Sequence, residues 1–156
     1  LHDALPIYMQ RREFLKNMSV MASVALVAMS PLKVLAAELG AEEQISKIVG
    51  SKGAKTGVAS LVAPAIAENG QVVPLKVEVA HPMEEGNYVK AIHLYAAGNP
   101  TPKIITVNLT PANGKAYFST RTKLAKSQDV FVVAELSDGT FLKDTKNVKV
   151  TIGGCG

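Results

Sequence analysis

Short runs in which hydrophobic and polar residues alternate fill the chain from residue 58 to residue 152. Residues 71–80 show this most clearly, because Val73 and Leu75 flank a proline and Lys76 follows them. Successive side chains of a β-strand point to opposite faces, so this alternation predicts half-buried strands. The predicted strands are residues 71–80, 89–97, 103–109, 115–122, 130–136 and 141–152.

The segment 37–57 precedes the strands and has a different period. Ile45, Ile48 and Val49 fall on one face at helical spacing, which predicts a short helix over residues 41–49. Gly50 ends this run. A polar, glycine-containing connection is then expected to lead to the first strand.

Turn-forming pairs separate the predicted strands, and each of them contains a glycine that suits a tight turn. They are Asn69-Gly70, Gly86-Asn87, Gly98-Asn99, Asn113-Gly114 and Asp138-Gly139. About seven short strands with regular turns predict an all-β fold, an immunoglobulin-like antiparallel β-sandwich over residues 58–152. The chain has no Trp and one Cys, so an antibody-type domain with its internal disulfide is excluded.

Two of the predicted strands carry hydrophobic residues on both faces. Residues 130–136 are apolar except for Glu135, which predicts a central strand. Their second face, together with that of residues 89–97, is apolar enough to be either core or a partner interface. The side chains on that face are Ala91, His93, Tyr95, Phe131 and Val133.

The N-terminus has the pattern of an export signal. Arg11 and Arg12 precede an apolar run at 18–29, and small residues follow at 34–36. A basic start, a short apolar middle and a small-residue end are typical of a secretory signal peptide, and paired arginines indicate the bacterial Tat route. We therefore predict a Tat signal over residues 9–36.

Two consequences follow for the mature protein. Residues 1–8 stand before Met9 and are expected to be a non-native extension, while cleavage is expected after Ala36. The predicted location is the periplasm. A single cysteine cannot form an internal disulfide there, so the fold must depend on its hydrophobic core.

Charge and hydropathy argue against nucleic-acid binding and against a membrane span. The sequence contains 17 Lys and Arg against 13 Asp and Glu. Removing residues 1–36 takes away four basic and two acidic residues, which leaves 13 against 11. With aromatic residues at 5% and no basic stripe, nucleic-acid binding has little support. The apolar run at 18–29 is shorter than the roughly 20 residues of a membrane span, so none is predicted.

The C-terminal residues place a thiol at the end of a slender tether. Cys155 is the only cysteine, and Gly153, Gly154 and Gly156 surround it. Because glycine lacks Cβ, such a tail is expected to be thin and mobile. These residues are predicted to form a flexible arm over residues 153–156 that presents the thiol to other proteins.

Two other interpretations of Cys155 remain. An exposed thiol can be incidental, although it oxidises readily. It can also form an interchain disulfide, which would use an unpaired cysteine in an exported protein. A carrier thiol is favoured over both because the chain also has an export signal.

The mature sequence lacks the parts of an independent catalyst. It has only His81 and His93, without clustered carboxylates, so no metal site is predicted. A Cys–His nucleophile needs fixed hydrogen-bond geometry, which a glycine-rich tail cannot supply. No glycine-rich phosphate loop follows a strand. We predict no catalytic residues, no metal and no resident cofactor.

These features together resemble the SoxY family, the sulfur carriers of bacterial thiosulfate oxidation. The terminal Gly-Gly-Cys-Gly is the most specific part of the resemblance. Weaker matches cover nearly the whole mature chain. They include Leu61-Val62-Ala63-Pro64, Ala67-Glu68-Asn69-Gly70, Val72-Val73-Pro74, Pro82-Met83, Tyr88-Val89-Lys90, Gly98-Asn99-Pro100, Ser137-Asp138-Gly139 and the strand residues Val148 to Ile152.

The resemblance implies that Cys155 carries sulfur intermediates as covalent adducts. It implies a heterodimer with a SoxZ-type subunit. It also implies transient encounters with a haem-containing Sox cytochrome, a thiosulfohydrolase and a sulfane dehydrogenase. The alternative is a periplasmic immunoglobulin-like structural or adhesion module in which Cys155 forms an intermolecular disulfide. A small redox enzyme is disfavoured because the chain has no resolving cysteine.

Overall fold

The structure describes residues 40–153 of the chain in a computed structural model, with nine strands, one α-helix and two short 3₁₀ helices, Gly50–Lys52 and Pro111–Asn113. The helix α1 spans Ala41–Val49. The strands are β1 (Ala54–Thr56), β2 (Ala59–Val62), β3 (Ile66–Asn69), β4 (Val73–Val79), β5 (Val89–Ala96), β6 (Lys103–Asn108), β7 (Tyr117–Thr122), β8 (Gln128–Leu136) and β9 (Phe141–Ile152). The predicted export signal with Arg11 and Arg12, and residues 154–156, lie outside the described residues.

The strands form two sheets. The larger has the order β1-β9-β8-β5-β6, and β3 also pairs with β9; the smaller has the order β2-β4-β7. Most neighbours are antiparallel, but β1 and β3 both pair with β9 in parallel. The predicted β-sandwich and its N-terminal helix are confirmed.

Side chains from the inner faces of the two sheets form the main core. In β4, Val73, Leu75, Val77 and Val79 are buried, and the residues between them are exposed. They pack with inward-facing residues of β5 and β8, such as Ile92. The alternation in the sequence therefore predicted the inner face of β4 correctly. The predicted central strand is also confirmed, since β8 lies between β5 and β9.

A second hydrophobic cluster covers the outer face of the larger sheet. Ala41, Ile45 and Val49 of α1 pack there on aromatic and aliphatic side chains of three strands. Those strand residues are Tyr95, Phe131, Val133 and Phe141. This explains much of the apolar second face that the sequence left as either core or interface. Within residues 40–153, no helix is long and apolar enough to cross a membrane.

Two details differ from the sequence-based expectation. The structure has nine strands where the pattern predicts about seven. The segment expected to be a connection contains β1, which pairs with Phe141–Lys143 of β9. Such short strands carry too few residues to show a period, and their position depends on β9. Among the predicted turns, Gly86, Gly114 and Gly139 do adopt positive φ.

His93 is a buried polar residue on the outer face of the larger sheet. It is 8% exposed, and its Nδ1 lies 2.9 Å from Thr106 Oγ1. Its Nε2 is buried and has no hydrogen-bond partner among the described residues. Burial lowers the pKa of His93, and the charge of Lys103 lowers it further, against a smaller opposing effect of Glu135. The folded protein therefore favours the neutral imidazole.

This burial predicts a loss of stability in acid. The unfolded chain takes up a proton at His93 near the ordinary pKa of 6.5, whereas the folded protein resists it. The free energy of unfolding should therefore decrease as the pH falls below that value. Urea unfolding across this range should show a shallower decrease for His93→Gln. The variant Thr106→Ser keeps the hydroxyl and should keep the wild-type slope. Equal slopes for His93→Gln and the wild type would contradict the prediction.

Candidate functional site

Strand β9 leads directly to the predicted thiol-bearing tail. It is the longest strand, and its final residue, Ile152, is 67% exposed. Gly153 follows in an exposed position. The predicted arm residues Gly154 and Gly156 and the predicted carrier residue Cys155 lie outside the described residues. What the structure describes is the point from which they leave the sandwich.

Hydrogen bonds hold the end of β9 on both of its edges. On one edge the Lys149 N–H donates to Ala65 O at 3.0 Å, and the Gly70 N–H donates to Ile152 O at 2.8 Å. On the other edge the Val150 N–H donates to Ser127 Oγ at 2.9 Å. Strand β8 begins only at Gln128, so the Ser127 side chain extends the contact beyond that ladder. The strand is thereby fixed up to its last residue.

Gly153 lies directly against the backbone of the loop between β7 and β8. A Cβ placed on Gly153 would collide with the carbonyl oxygen of Ala125. A backbone oxygen cannot move aside as the end of a long side chain can. Close packing therefore favours glycine at position 153, in addition to the flexibility that the sequence predicts. We call Ile152, Gly153 and the loop residues 123–127 the tail root.

Two amide side chains hold the loop of the tail root in place. Asn99 Oδ1 accepts hydrogen bonds from the Ala125 N–H (3.0 Å) and from Gln128 Nε2 (2.9 Å). Asn99 Nδ2 donates to Lys123 O at 2.9 Å. Gln128 is 6% exposed, and its Oε1 accepts from the Gly98 N–H at 2.6 Å. The turn between β5 and β6 is therefore tied to the loop that contacts Gly153.

Sequence reasoning missed this supporting role. It identified Gly98 and Asn99 as a turn, but the turn is shaped by packing: a Cβ on Gly98 would lie 2.8 Å from Lys126 Cε and 3.1 Å from Gln128 Cβ. Positive φ is not what this glycine provides. The pairing of Asn99 with residues more than twenty positions away leaves no local signal in the sequence.

Within residues 40–153, the lysines of the tail root form no ion pair. Lys123 and Lys126 belong to the loop, and Lys149 lies nearby in sequence on β9. The ion pairs found in residues 40–153 are Lys90–Glu135 and Lys115–Glu78, and neither includes these lysines. The described residues also contain no group of three or more His, Cys, Asp or Glu side chains that could hold a metal. Hydrogen bonds therefore hold the tail root in place, and its lysines give it a positive charge at the point where the chain continues to the predicted thiol.

Comparison with protein families and solved structures identifies relatives. A family model described as "Sulfur oxidation protein SoxY" matches residues 45–155. The solved structure of the sulfur carrier protein SoxY from Chlorobium limicola f thiosulfatophilum is 28% identical, with a TM-score of 0.59. That match covers 71% of this chain and 96% of the other. A search of curated proteins finds no match.

Superoxide reductases have a similar fold. The neelaredoxin of Ignicoccus hospitalis is 21% identical with a TM-score of 0.55, covering 60% of this chain and 80% of the other. A putative superoxide reductase from Thermotoga maritima is 15% identical with a TM-score of 0.52, covering 64% and 88%. At such low identity the likeness concerns the β-sandwich alone.

The close packing of Gly153 predicts a local response to substitution. Gly153→Ala should push the chain away from Ala125, because the added methyl group meets a backbone oxygen. NMR spectra should show shifted amide signals for Ala125 and Ser127. The matched control is Gly40→Ala, where a Cβ meets nothing within 4 Å. Unchanged loop signals in Gly153→Ala would show that the contact does not constrain the tail root.

The Asn99 contacts predict a cost in stability. Asn99→Ala removes three hydrogen bonds and leaves the partly buried Ala125 N–H without its acceptor. A loss of about 1–3 kcal/mol in the free energy of unfolding is expected. Asn147→Ala is the control, since Asn147 makes an exposed hydrogen bond to Asp129, and should change stability by less than about 0.5 kcal/mol. Equal effects of the two variants in urea unfolding would argue against a supporting role for Asn99.

Proposed function

The chain belongs to the SoxY family of sulfur oxidation proteins, and on that premise we propose that it carries thiosulfate-derived sulfur covalently on Cys155. It would present these adducts to partner enzymes and catalyse no step itself. Both the family match over residues 45–155 and the likeness to the sulfur carrier of Chlorobium limicola support this role.

The single structural observation that best supports the proposal is the end of β9. Hydrogen bonds fix the strand through Ile152, and the sequence places Cys155 three residues later. An extended residue adds at most about 3.3–3.6 Å, so the cysteine can stand no more than about 7 Å from Gly153. A carrier needs such a combination: a firm base, a short reach and a group small enough to enter another protein.

The chemistry of the thiol accounts for the proposed cycle. The thiolate is the nucleophilic form of cysteine. Joining it to thiosulfate forms one S–S bond, gives Cys–S–S–sulfonate and releases two electrons, which a haem cytochrome would accept. Water then cleaves the sulfur–sulfonate bond, releasing sulfate and two protons and leaving a persulfide on Cys155.

The remaining steps would restore the carrier. A sulfane dehydrogenase would remove six electrons from the outer sulfur, while three waters supply its oxygens and six protons are released. The product is a cysteine S-sulfonate. A second hydrolysis would free sulfate and return the thiolate. The first step uses the Cys155 thiolate as nucleophile and the later steps act on the sulfur attached to it, so the partner enzymes would supply any acid, base or metal.

Partners and location belong to the same proposal. We infer a heterodimer with a SoxZ-type subunit and transient complexes with the haem-containing Sox cytochrome, the thiosulfohydrolase and the sulfane dehydrogenase. A periplasmic location reached through the Tat route would fit the sequence of residues 9–36, with Arg11 and Arg12 as the export determinant.

The test is the mass and activity of a cysteine variant. Protein isolated from thiosulfate-grown cells should show adduct masses of sulfur or thiosulfate that map to Cys155. Cys155→Ser should fold with unchanged thermal stability, lose every adduct and abolish thiosulfate-dependent oxygen uptake. Unchanged thermal stability of Cys155→Ser would separate loss of the thiol from loss of the fold. A reducible homodimer without any sulfur adduct would instead favour the structural module.

A further inference from the structure

A groove runs between the open edges of the two sheets. Strand β6 is the last strand of the larger sheet and β7 the last of the smaller. Residues of both strands and of the segments beside them line a space of about 420 Å³. Half-buried Ile104 contributes an apolar part of its wall and also packs on the core. We call this the β6–β7 groove.

Every charged side chain that lines the β6–β7 groove is positive. Lys103, Arg121 and Lys123 supply three positive charges, and no Asp or Glu lines it. None of the three takes part in an ion pair within residues 40–153. Thr101, Thr120 and Thr122 also line the groove; the hydroxyls of Thr120 and Thr122 lie 3.5 Å from the carbonyl oxygens of Arg121 and Lys123. In a mature chain with almost balanced charge, three cations without an acid form a marked local excess.

The groove is continuous with the tail root. Asn99 and Lys123 line the groove, and they are joined by the Asn99 Nδ2 to Lys123 O hydrogen bond. Asn99 also holds Ala125, whose carbonyl oxygen lies against Gly153. A group carried beyond Gly153 therefore begins its path beside residues that are bonded to the wall of the groove.

Edge protection accounts for only part of this arrangement. Lysine on an edge strand discourages pairing with other chains, and Lys103 on β6 can serve that purpose. That purpose does not require cations from two different sheets to converge on one concavity. It also does not require the absence of every carboxylate from the lining. Arginine and lysine with neutral donors are the groups that bind oxyanions.

We propose that the β6–β7 groove binds a sulfur oxyanion: a sulfonate, sulfate or thiosulfate group. The choice of sulfur as the ligand's central atom rests on the proposed function. The oxyanion can come from two sources, the sulfonate end of an adduct on Cys155 or a free anion in the periplasm. Arg121 would provide a planar pair of donors, and Lys103 and Lys123 would add positive charge.

The first arm of the test uses free anions. Mature Cys155→Ser protein is titrated with sodium sulfate and with sodium thiosulfate while NMR follows the backbone amides. Sodium chloride keeps the ionic strength constant, so general screening does not contribute. Saturable shifts at Thr101 and at residues 120–123 would support the groove as a site for free oxyanions. This arm contains no carrier thiol, so its result is independent of whether Cys155 carries sulfur.

The second arm uses the tethered group. Tetrathionate reacts with the Cys155 thiolate to give Cys–S–S–sulfonate and free thiosulfate, a thiol–disulfide exchange that needs no oxidant. Intact mass verifies the adduct before spectra are recorded. Groove signals that shift on loading, and return when a reductant removes the adduct, would support binding of the carried sulfonate.

Charge variants decide the outcome. Arg121→Gln with Lys123→Gln should weaken oxyanion binding by at least about tenfold in whichever arm responds, because charge-assisted hydrogen bonds are lost. Lys47→Gln with Lys146→Gln removes the same charge from exposed positions outside the groove and should leave binding unchanged. The proposal is overturned if neither arm shifts the groove signals. Equal weakening by both pairs of substitutions would overturn it as well.

Discussion

The hydrogen bonds along β9 are the constraint on which the architecture depends. Its first part pairs with β8 and β1, and its last part pairs with β3. Asp144, in between, accepts the Leu61 N–H through Oδ2 at 2.9 Å and so joins β9 to the smaller sheet. One strand thus links both sheets, positions two short strands and ends at the tail root. Without it, neither the sandwich nor the exit of the chain would have a fixed geometry.

The described fold and the predicted thiol-bearing tail have separate roles: the fold supplies stability, and the tail is predicted to supply the reactive group. Within residues 40–153, nearly all the buried hydrophobic surface lies in the sandwich and beneath α1. The tail root adds a polar layer in which Asn99 and Gln128 satisfy backbone groups that would otherwise lack partners. Within residues 40–153, the core and the polar contacts of the tail root are formed without the predicted thiol. This arrangement suits the proposed carrier role.

Sequence alone predicted the parts of the fold that have a period. Val73, Leu75 and Val77 alternate regularly enough to define the inner face of β4, and Ile45 and Val49 define the buried face of α1. Strands β1 and β3 could not be found in the same way, because three or four residues show no period and their pairing depends on β9. Cys155 was predicted as the carrier residue from composition and position, and it lies outside the described residues. The close approach of Gly153 to Ala125 could not be predicted from the sequence, because it depends on how distant segments pack.

The two-sided hold on β9 has a mechanical consequence. Interstrand hydrogen bonds lie across the strand axis, so a pull on the C-terminus along β9 loads the bonds to Ala65, Gly70 and Ser127 together, in shear, instead of peeling them apart one after another. A partner enzyme that binds the C-terminus and then dissociates would apply force along β9, and these hydrogen bonds would pass that force to the sandwich. These bonds therefore resist displacement of β9 when force acts along its axis.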